Sequence, residues 1–399
     1  MLIAVAGGKL QGVEAVYLAK KAGFTTLVID KNPHAPATGL ADRILTFEFS
    51  PARFIPESCP QPDLIFPAIE DEAALELIIA WAETKKIPIA FDLEAYRLTQ
   101  SKQLSNRLFA DMNLPMPKVL NDSDWPCESA GNWISRWSGI LPLVVKPDQS
   151  SGSQGVVVIK SAEDLASFNS RQSGSDSLNG LIVQEYIDGP SYSIEVTGKP
   201  GQYRTYAVTE LEMDDAYDCC AVLAPATLDR AQVLTLETMA VALAENIRLS
   251  GIMDLEVILH NNELKLLEID ARIPSQTPMA VFQATGVNMI QSLASHTLDN
   301  SPLPSLIKES RCARIEHIHV SGSQISVKGE HIMGQFGPLF LHTDFFGADE
   351  ALVSFPVKQT LQHREWVATL IFTGISHEAV LAKQSACHAA ISNRLWQVT

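Results

Sequence analysis

Residues 251–272 read GIMDLEVILHNNELKLLEIDAR, two apolar stretches joined by a short polar turn. The pattern predicts two adjacent strands, and alternation along a strand places residues two apart on one face. Asp254 and Glu256 therefore share a face of the first strand, and Glu268 and Asp270 share a face of the second. Acids clustered within apolar strands repel one another unless a cation neutralises them. The pattern therefore favours a Mg²⁺ site over a group of acids that are simply exposed to solvent.

Two further patterns in the sequence suit a phosphate group. Arg272 lies one strand step beyond Asp270, where it fits a phosphate clamp or pairs with an ordinary carboxylate. In VVKPDQSSGSQGV, residues 144–156, Lys146 closes an apolar strand and a loop of small residues follows. Small residues let backbone N–H groups approach phosphate oxygens. The lysine precedes the glycines, so this is not a P-loop, and an ordinary hairpin is the alternative.

The first 86 residues alternate short apolar runs with helical patterns. A βαβ unit is predicted for the successive segments LIAVAGG, KLQGVEAVYLAKKAG and FTTLVID. A further apolar segment, DLIFPAIE, precedes a second helical stretch. This order predicts an open parallel sheet, in which ligands lie at the carboxyl ends of the strands. Here those ends are residues 7–11, Asp30 and Glu70.

The glycine turn also allows a nucleotide to bind in this first domain. Lys9 would lie near a phosphate, and Asp30 ends the second strand, where Rossmann proteins hold a ribose. The alternative is an ordinary turn glycine beside a solvated acid. Gly-Gly-x-x-x-Gly is not the GxGxxG motif, and this weakens a second alternative, a nicotinamide-dependent dehydrogenase.

Changes of pattern predict three domains: residues 1–95, 96–305 and 306–399. The helical stretch 101–117 ends at prolines, and antiparallel strands follow from residue 141. Beyond residue 311 the sequence is again strand-like and closes with an amphipathic helix, so we expect a β-rich cap there.

Composition excludes several classes of protein. The 399 residues are 46% hydrophobic and 19% charged, as in folded globular proteins. A net charge of −16, from 30 Lys+Arg and 46 Asp+Glu, argues against nucleic acid as a partner. The 6 cysteines form no CxxC pair, which predicts reduced thiols. Without a signal-peptide pattern or an apolar run of roughly 20 residues, we expect no membrane contact and a cytoplasmic location.

The order of these motifs resembles the ATP-grasp superfamily. Along the chain, a lysine in SKQLSN is followed by the lysine before the Gly/Ser loop and then by the hinge QEYI at 184–187. Asp254, Glu-x-Asp and Arg272 come after them, in that order. Over nearly the whole chain, segments such as GGKLQGVEAVYLAKKAG, LLEIDARIPSQTP and GEHIMGQFGPL resemble the 3-methyl-D-ornithine–L-lysine ligases of pyrrolysine biosynthesis. The resemblance implies an α/β and α+β chain, with an ATP-grasp fold behind a Rossmann-like N-terminal domain and a β-rich C-terminal region.

The resemblance further implies an ATP-dependent amide ligase that uses Mg²⁺ and proceeds through an acyl phosphate. Its substrates would be L-lysine and 3-methyl-D-ornithine, and its products would include ADP and phosphate. Many relatives are dimers, so a homodimer is expected. The alternatives are another ATP-grasp carboxylate–amine ligase, a purine-pathway carboxylase, and a catalytically silent nucleotide-binding regulator.

Roles at the ATP site follow from the superfamily. The nucleotide contacts that it implies are Lys102, Lys146, Ser150, Ser151, Gly152, Ser153, Gly155, Gln184, Glu185 and Ile187. The Mg²⁺ ligands that it implies are Asp254, Glu268 and Asp270. Lys146 would neutralise charge on the transferred phosphoryl group, and Arg272 would steady the acyl phosphate. The base that deprotonates the amine would be Glu256 or Asp218.

Contacts to the amino acids follow from the ligase family and from the predicted sheet. The family places lysine against Leu10 and Gln11, and we expect Glu70 to hold an amino group. For 3-methyl-D-ornithine, the expected contacts are Asp218, Ser275, Gln276 and Thr277.

Overall fold

The computed structural model describes residues 1–53, 55–120, 137–150, 152–172, 180–299, 311–322, 324–355 and 365–396. The chain divides into two compact units. Unit 1 comprises Met1–Ala95, Tyr192–Asp254 and Ala271–Thr399, and unit 2 comprises Tyr96–Ser191 and Leu255–Asp270. The three-domain division at residues 95 and 305 stays a prediction. The predicted contact Ser151 lies outside the described residues.

Unit 1 begins with a four-stranded parallel sheet in the order β3-β2-β1-β4. Its elements are β1 (Leu2–Ala6), α1 (Leu10–Lys21), β2 (Thr25–Asp30), a short 3₁₀ turn (Pro36–Gly39), β3 (Arg43–Thr46), β4 (Leu64–Pro67) and α2 (Glu72–Lys85). The βαβ unit is confirmed. At Gly7, with φ of 114°, a Cβ would lie 2.1 Å from the Ala68 carbonyl oxygen, so only glycine fits this turn.

Unit 2 contains a three-stranded antiparallel sheet in the order β6-β5-β7. Its elements are α3 (Leu93–Thr99), which starts just before the unit, α4 (Lys102–Asp111), β5 (Leu143–Pro147), β6 (Val157–Ile159), α5 (Ala162–Gln172) and β7 (Leu181–Glu185). Leu143, Val145 and Val183 pack with Trp137 and Phe168 in its core. This packing fixes the sheet strand that carries Lys146.

The remaining strands of unit 1 form a large antiparallel sheet. They are β8 (Ser191–Lys199), β9 (Gln202–Thr205), β10 (Thr209–Met213), β11 (Cys219–Ala224), the start of β12 (Gly251–His260), β14 (Cys312–Ser321), β15 (Gln324–Val327), β16 (Phe340–Phe345), β17 (Ala348–Ser354) and β18 (Glu365–Gly374). Their order is β12-β8-β10-β11-β14-β18-β17-β16, with β9 on β8 and β15 on β14. The β-rich C-terminal region is thereby confirmed.

β12 continues into unit 2, where it pairs with β13 (Glu263–Asp270). Asn261 and Asn262 form the turn between them, both with left-handed φ angles of 50° and 63°. Asparagine tolerates this conformation better than most residues, which explains the tight hairpin. The predicted pair of acid-bearing strands is present.

The helices of unit 1 beyond residue 191 are α6 (Arg230–Asn246), α7 (Thr277–Thr285), α8 (Met289–Asp299), α9 (His331–Gly334) and α10 (His377–Trp396). Val13 and Val16 of α1 share one apolar core with Met279, Ile290 and Ile315. Among the helices of the described ranges, none combines the length and the apolar character that crossing a membrane requires.

Candidate active site

The first residue of α4 is Lys102, and its position depends on Asp148, two residues after Lys146. Ser101 caps the helix and its hydroxyl donates to the Asp148 carboxylate at 3.0 Å. The Gln103 N–H also donates to Asp148 Oδ1 at 2.8 Å. A carboxylate at a helix N-terminus complements the helix dipole, so α4 starts firmly at the end of β5.

The Lys102 ammonium group meets the acids of β12 and β13 within unit 2. Its Nζ lies 3.1 Å from Glu268 Oε2 and donates to the Ser150 carbonyl oxygen. Burial alone would lower the pKa of Lys102, but the charges of Glu268, Asp270 and Glu256 raise it overall. Lys102 therefore remains charged, and three of the four predicted acids lie in its field.

Lys146 lies on β5 and only 7% of it is exposed. Burial lowers its pKa to about 8; the Lys102 charge adds to this, whereas Glu268 and Glu256 oppose it. A buried ammonium group that lacks full compensation is stabilised when an anion binds. We call Lys102, Lys146, Glu256, Glu268 and Asp270 the lysine cluster.

The predicted phosphate loop follows Lys146 as a turn. Gly152, Ser153 and Gly155 all have positive φ angles, of 55°, 57° and 78°. The Val156 N–H donates to the Ser153 carbonyl oxygen at 3.2 Å, which closes the turn. Apart from Ser151, the predicted loop contacts thus lie in the connection between β5 and β6 in unit 2.

The hinge at 184–187 follows β7, and the side chains of its first two residues bind protein groups. Gln184 is buried and its Nε2 donates to Asn106 Oδ1 at 3.4 Å. Glu185 Oε1 accepts from the Lys118 N–H at 3.0 Å and from Lys265 Nζ at 3.3 Å. The side chains of Gln184 and Glu185 are thus engaged within the protein, and the nucleotide contacts predicted for them and for the buried Ile187 stay predictions.

In unit 1, Asp30 stabilises the glycine turn. Its carboxylate accepts from the Gly8 N–H at 2.6 Å and from the Asn32 N–H at 2.7 Å. Lys9 is exposed beside it. A second nucleotide site at Lys9 and Asp30 stays a prediction.

Glu70 lies between two predicted site residues of unit 1. Its Oε1 accepts from Gln11 Nε2 at 2.6 Å and from Arg272 Nε at 3.0 Å. Arg272 also lies 3.9 Å from Asp254, so the predicted metal ligand Asp254 is placed beside a cation. The predicted lysine contacts Gln11 and Glu70 are thus brought together.

The loop Ser275–Gln276 lies beside two acids that had no predicted role. Ser275 Oγ donates to Glu330 Oε1 at 2.9 Å. The Gln276 N–H donates to Glu14 at 3.2 Å, and the Met279 N–H donates to the same carboxylate. Glu14 thus caps α7 from a distant helix, and burial raises its pKa to about 8.

A cavity of about 20 Å³, roughly the room for one water molecule, lies at this point of unit 1. Its lining includes Leu10, Glu14, Ser275, Gln276, His317 and Glu330. The His317 Nε2 and Gln276 Oε1 atoms are enclosed and have no hydrogen-bond partner among the described residues. Leu10 and the Ser275–Gln276 loop are thus brought together, and Thr277 begins α7 beside them.

Asp218 and His331 complete this region. Asp218 Oδ1 lies 2.8 Å from His331 Nδ1. Burial raises the pKa of the neighbouring Glu330 carboxyl, and the charge of Asp218 adds to the shift. We define the acid cluster as the four acids with the two basic side chains among them: Glu14, Glu70, Asp218, Glu330, Arg272 and His331.

Sequence reasoning missed Glu14, Glu330 and His331. Glu14 is the one acid within the apolar face of α1, and it is 2% exposed. Glu330 and His331 lie in the GEHIM segment, which contributed to the resemblance but received no role. An acid inside a buried helical face was the available signal for Glu14.

Comparisons with known proteins identify the family of this chain and its fold. The sequence profile of the ATP-grasp domain matches residues 99–276. The 3-methyl-D-ornithine–L-lysine ligase of Methanosarcina mazei is 33% identical over 334 residues, which are 83% of this chain and 81% of that protein.

Two solved structures resemble the chain in fold. Biotin carboxylase of Campylobacter jejuni, in complex with β,γ-ATP, gives a TM-score of 0.70 at 15% identity and covers 99% of this chain and 94% of its own. The N5-carboxyaminoimidazole ribonucleotide synthetase of Thermus thermophilus gives 0.69 at 16% identity, with 98% of each chain covered. These likenesses show the fold, and the ligase relative shows the family. The chain therefore belongs to the ATP-grasp family, as an ATP-dependent carboxylate–amine ligase.

Proposed function

We propose that this ligase joins the carboxylate of 3-methyl-D-ornithine to the ε-amino group of L-lysine, as a step of pyrrolysine biosynthesis. ATP is converted to ADP and phosphate, and the product is an isopeptide. Support comes from the name of the 33% identical relative and from the contrasting charges of the two clusters.

The lysine cluster is the proposed site for the ATP phosphates. Lys102 and Lys146 supply two ammonium groups, and the turn containing Gly152 and Gly155 supplies backbone N–H groups. The hinge backbone at 184–187 is the proposed contact for the adenine edge.

Mg²⁺ fits the donor chemistry of the acids on β13. Glu268 and Asp270 offer carboxylate oxygens, which are the ligands that Mg²⁺ prefers. Among the residues that the structure describes, no three His, Cys, Asp or Glu side chains form a complete ligand set. Mg²⁺ commonly binds one or two carboxylates together with substrate phosphates, so this shortfall suits an ATP site. We propose Glu268 and Asp270 as its ligands, where it would neutralise phosphate charge. The role of Asp254, which lies 3.9 Å from Arg272, as a ligand stays a prediction.

The observation that carries the substrate proposal is the excess of acids in the acid cluster. Four carboxyl groups accompany the guanidinium of Arg272 and the imidazole of His331. The Gln11 Oε1 atom is enclosed and accepts no hydrogen bond from the described residues. A diamino acid, with two ammonium groups, complements such a region better than a neutral amine does.

The residues then share the work of the reaction. The substrate carboxylate attacks the γ-phosphoryl group while Lys146 neutralises the charge that develops there. Arg272 steadies the acyl phosphate, and Gln11 and Glu70 orient the amine. Ser275, Gln276 and Thr277 are the proposed contacts for 3-methyl-D-ornithine, whereas Asp218, also predicted as one, pairs with His331. The amine attacks the acyl carbon, and phosphate leaves.

Mass spectrometry of a single reaction tests this proposal. The purified protein is incubated with Mg-ATP, L-lysine and D-ornithine, the latter standing in for its 3-methyl homologue, and ADP is quantified. We expect a new species at the summed mass of the two amino acids minus one water. Glu268→Ala should abolish both products, whereas Glu263→Ala, at the exposed start of the same strand, should retain both.

The results distinguish an error in the substrate pair from an error in the proposed function. ADP without the ligated species would keep the family and overturn the substrate pair. Neither product, also with 3-methyl-D-ornithine itself, would overturn the proposed function.

A further inference from the structure

Asp218 holds His331 through two contacts. Its Oδ1 lies 2.8 Å from His331 Nδ1, and its Oδ2 accepts the backbone N–H of His331 at 3.1 Å. Both the ring and the backbone of His331 are thus attached to one carboxylate. An imidazole that donates from Nδ1 to a carboxylate presents Nε2 as its proton-accepting atom.

The carboxylate is itself held in a close-fitting cradle. Asp214 accepts the Asp218 N–H at 3.1 Å and the Gly329 N–H at 3.0 Å. A Cβ on Gly329 would lie 2.0 Å from the Asp218 Cγ, so a larger residue would displace the carboxylate. The sequence of the GEHIM segment therefore provides both the imidazole and the space for its partner.

His331 remains accessible and lies among acids. About a third of its side chain is exposed, at 35%, against 15% for Asp218. The charged groups that face it are Asp218, Glu330 and Glu70, and together they raise its pKa above the ordinary value. Glu70 is also the partner of Gln11, which places the imidazole in the field of the proposed amine contacts.

We propose that His331 is the catalytic residue that accepts a proton from the attacking ammonium group, with Asp218 as its positioning residue. The inference rests on the proposed function, because it requires the ε-ammonium group of lysine to bind at Gln11 and Glu70. It also changes the expected role of Asp218, which acts through His331 rather than directly.

The proton balance is complete. The ε-ammonium group loses one proton to His331 Nε2 and becomes a neutral amine. This amine forms the C–N bond with the acyl carbon while the C–O bond to phosphate breaks. The second proton lost by nitrogen leaves with the phosphate, and His331 returns its proton to solvent.

Two nucleophiles test this step. Hydroxylamine is uncharged at neutral pH and traps an acyl phosphate as a hydroxamate without a base. In His331→Gln, we expect ligation to lysine to fall about 100-fold or more, which is the usual range for a lost general base, while hydroxamate formation is retained. Asp218→Asn should lower the ratio of ligation to hydroxamate formation by a smaller factor. His319→Gln is the matched control, because His319 forms another histidine–carboxylate pair, at 2.8 Å from Glu365.

The wild-type protein provides a second measurement that does not depend on any variant folding. With His331 as the base, the ratio of ligation to hydroxamate formation should reach a plateau above the His331 pKa. Without a base, that ratio should keep rising about tenfold per pH unit toward the lysine pKa of about 10.4. A continuing rise, or an equal loss of both products in His331→Gln, would overturn the inference. Absence of both products in the wild-type protein would instead overturn the proposed function.

Discussion

The lysine cluster of unit 2 and the acid cluster of unit 1 differ in the sign of the ionised group that burial disfavours. In the lysine cluster, the buried Lys146 has its pKa lowered to about 8 by burial. In the acid cluster, the buried Glu14 has its pKa raised to about 8, also by burial. Each region therefore contains a group whose charged form its own surroundings disfavour.

Under the proposed function, this contrast indicates which kind of ligand each region would bind. A buried cation with a lowered pKa is stabilised by an added anion, and a buried acid with a raised pKa is stabilised by an added cation. ATP brings phosphates, and a diamino acid brings ammonium groups. The difference in charge between the clusters thus matches the two kinds of substrate that a carboxylate–amine ligase requires.

Lys146→Met tests the lysine cluster, where we expect the largest effect. We expect ADP formation to fall about 1,000-fold, because the variant loses the charge that we propose faces the phosphoryl group. The free energy of unfolding at pH 7 should rise by up to about 3 kcal/mol, since a pKa lowered from 10.5 to about 8 marks a buried charge that opposes folding. Steady-state ADP release and urea unfolding measure the two effects.

Lys118→Met, at an exposed position of the same unit, is the matched control. We expect neither ADP formation nor the free energy of unfolding to change in this variant. If Lys146→Met lowered stability and kept ADP formation, Lys146 would be a structural residue and the contrast between the clusters would fail.

The sequence predicted those elements whose signal is local. The βαβ unit, the hairpin of β12 and β13 and the strand carrying Lys146 all follow from alternation or periodicity over a few residues. β3 was missed, since it is a four-residue edge strand that begins at the exposed Arg43.

The acid cluster shows why other site residues could not be predicted. Glu14 accepts the N–H of Gln276, just before α7 and 262 residues away, and His331 pairs with Asp218 across 113 residues. No local pattern encodes such pairs, because folding alone brings them together. Lys102 and Glu268, although distant in sequence, were placed together only through the resemblance to a known family.

Glu70→Gln tests the acid side of the comparison. We expect the KM for lysine to rise about 10- to 100-fold, because a hydrogen bond to a charged group contributes about 1.5–3 kcal/mol. Hydroxamate formation should change little, since it does not use the amine site. Initial rates over a range of lysine concentrations measure the effect.

Glu76→Gln, an exposed acid on α2 of the same unit, is the control for a general loss of negative charge. A rise in the KM for ATP rather than for lysine would assign Glu70 to the nucleotide and remove the distinction between the clusters.

The pH dependence of ATP affinity tests the difference between the pKa values of Lys102 and Lys146 within the lysine cluster. The pKa of Lys102 is raised, so its charge persists through alkaline pH, whereas the pKa of Lys146 is lowered to about 8. Below pH 8 both lysines are charged and the affinity should be constant. Above pH 8, ATP must bind together with a proton at Lys146, so the affinity should fall by up to about tenfold per pH unit.

Lys146→Arg isolates this effect, because a guanidinium stays charged at every pH of the measurement. Calorimetric titration with ATP between pH 7 and 9.5 should give a declining affinity for the wild-type protein and a nearly constant one for Lys146→Arg. The wild-type protein should also take up a proton on binding ATP at pH 8.5, which the heat measured in buffers of different ionisation enthalpy reveals. An equal decline in both proteins would place the titrating group elsewhere, and Lys146 would then be charged in the free protein despite its burial.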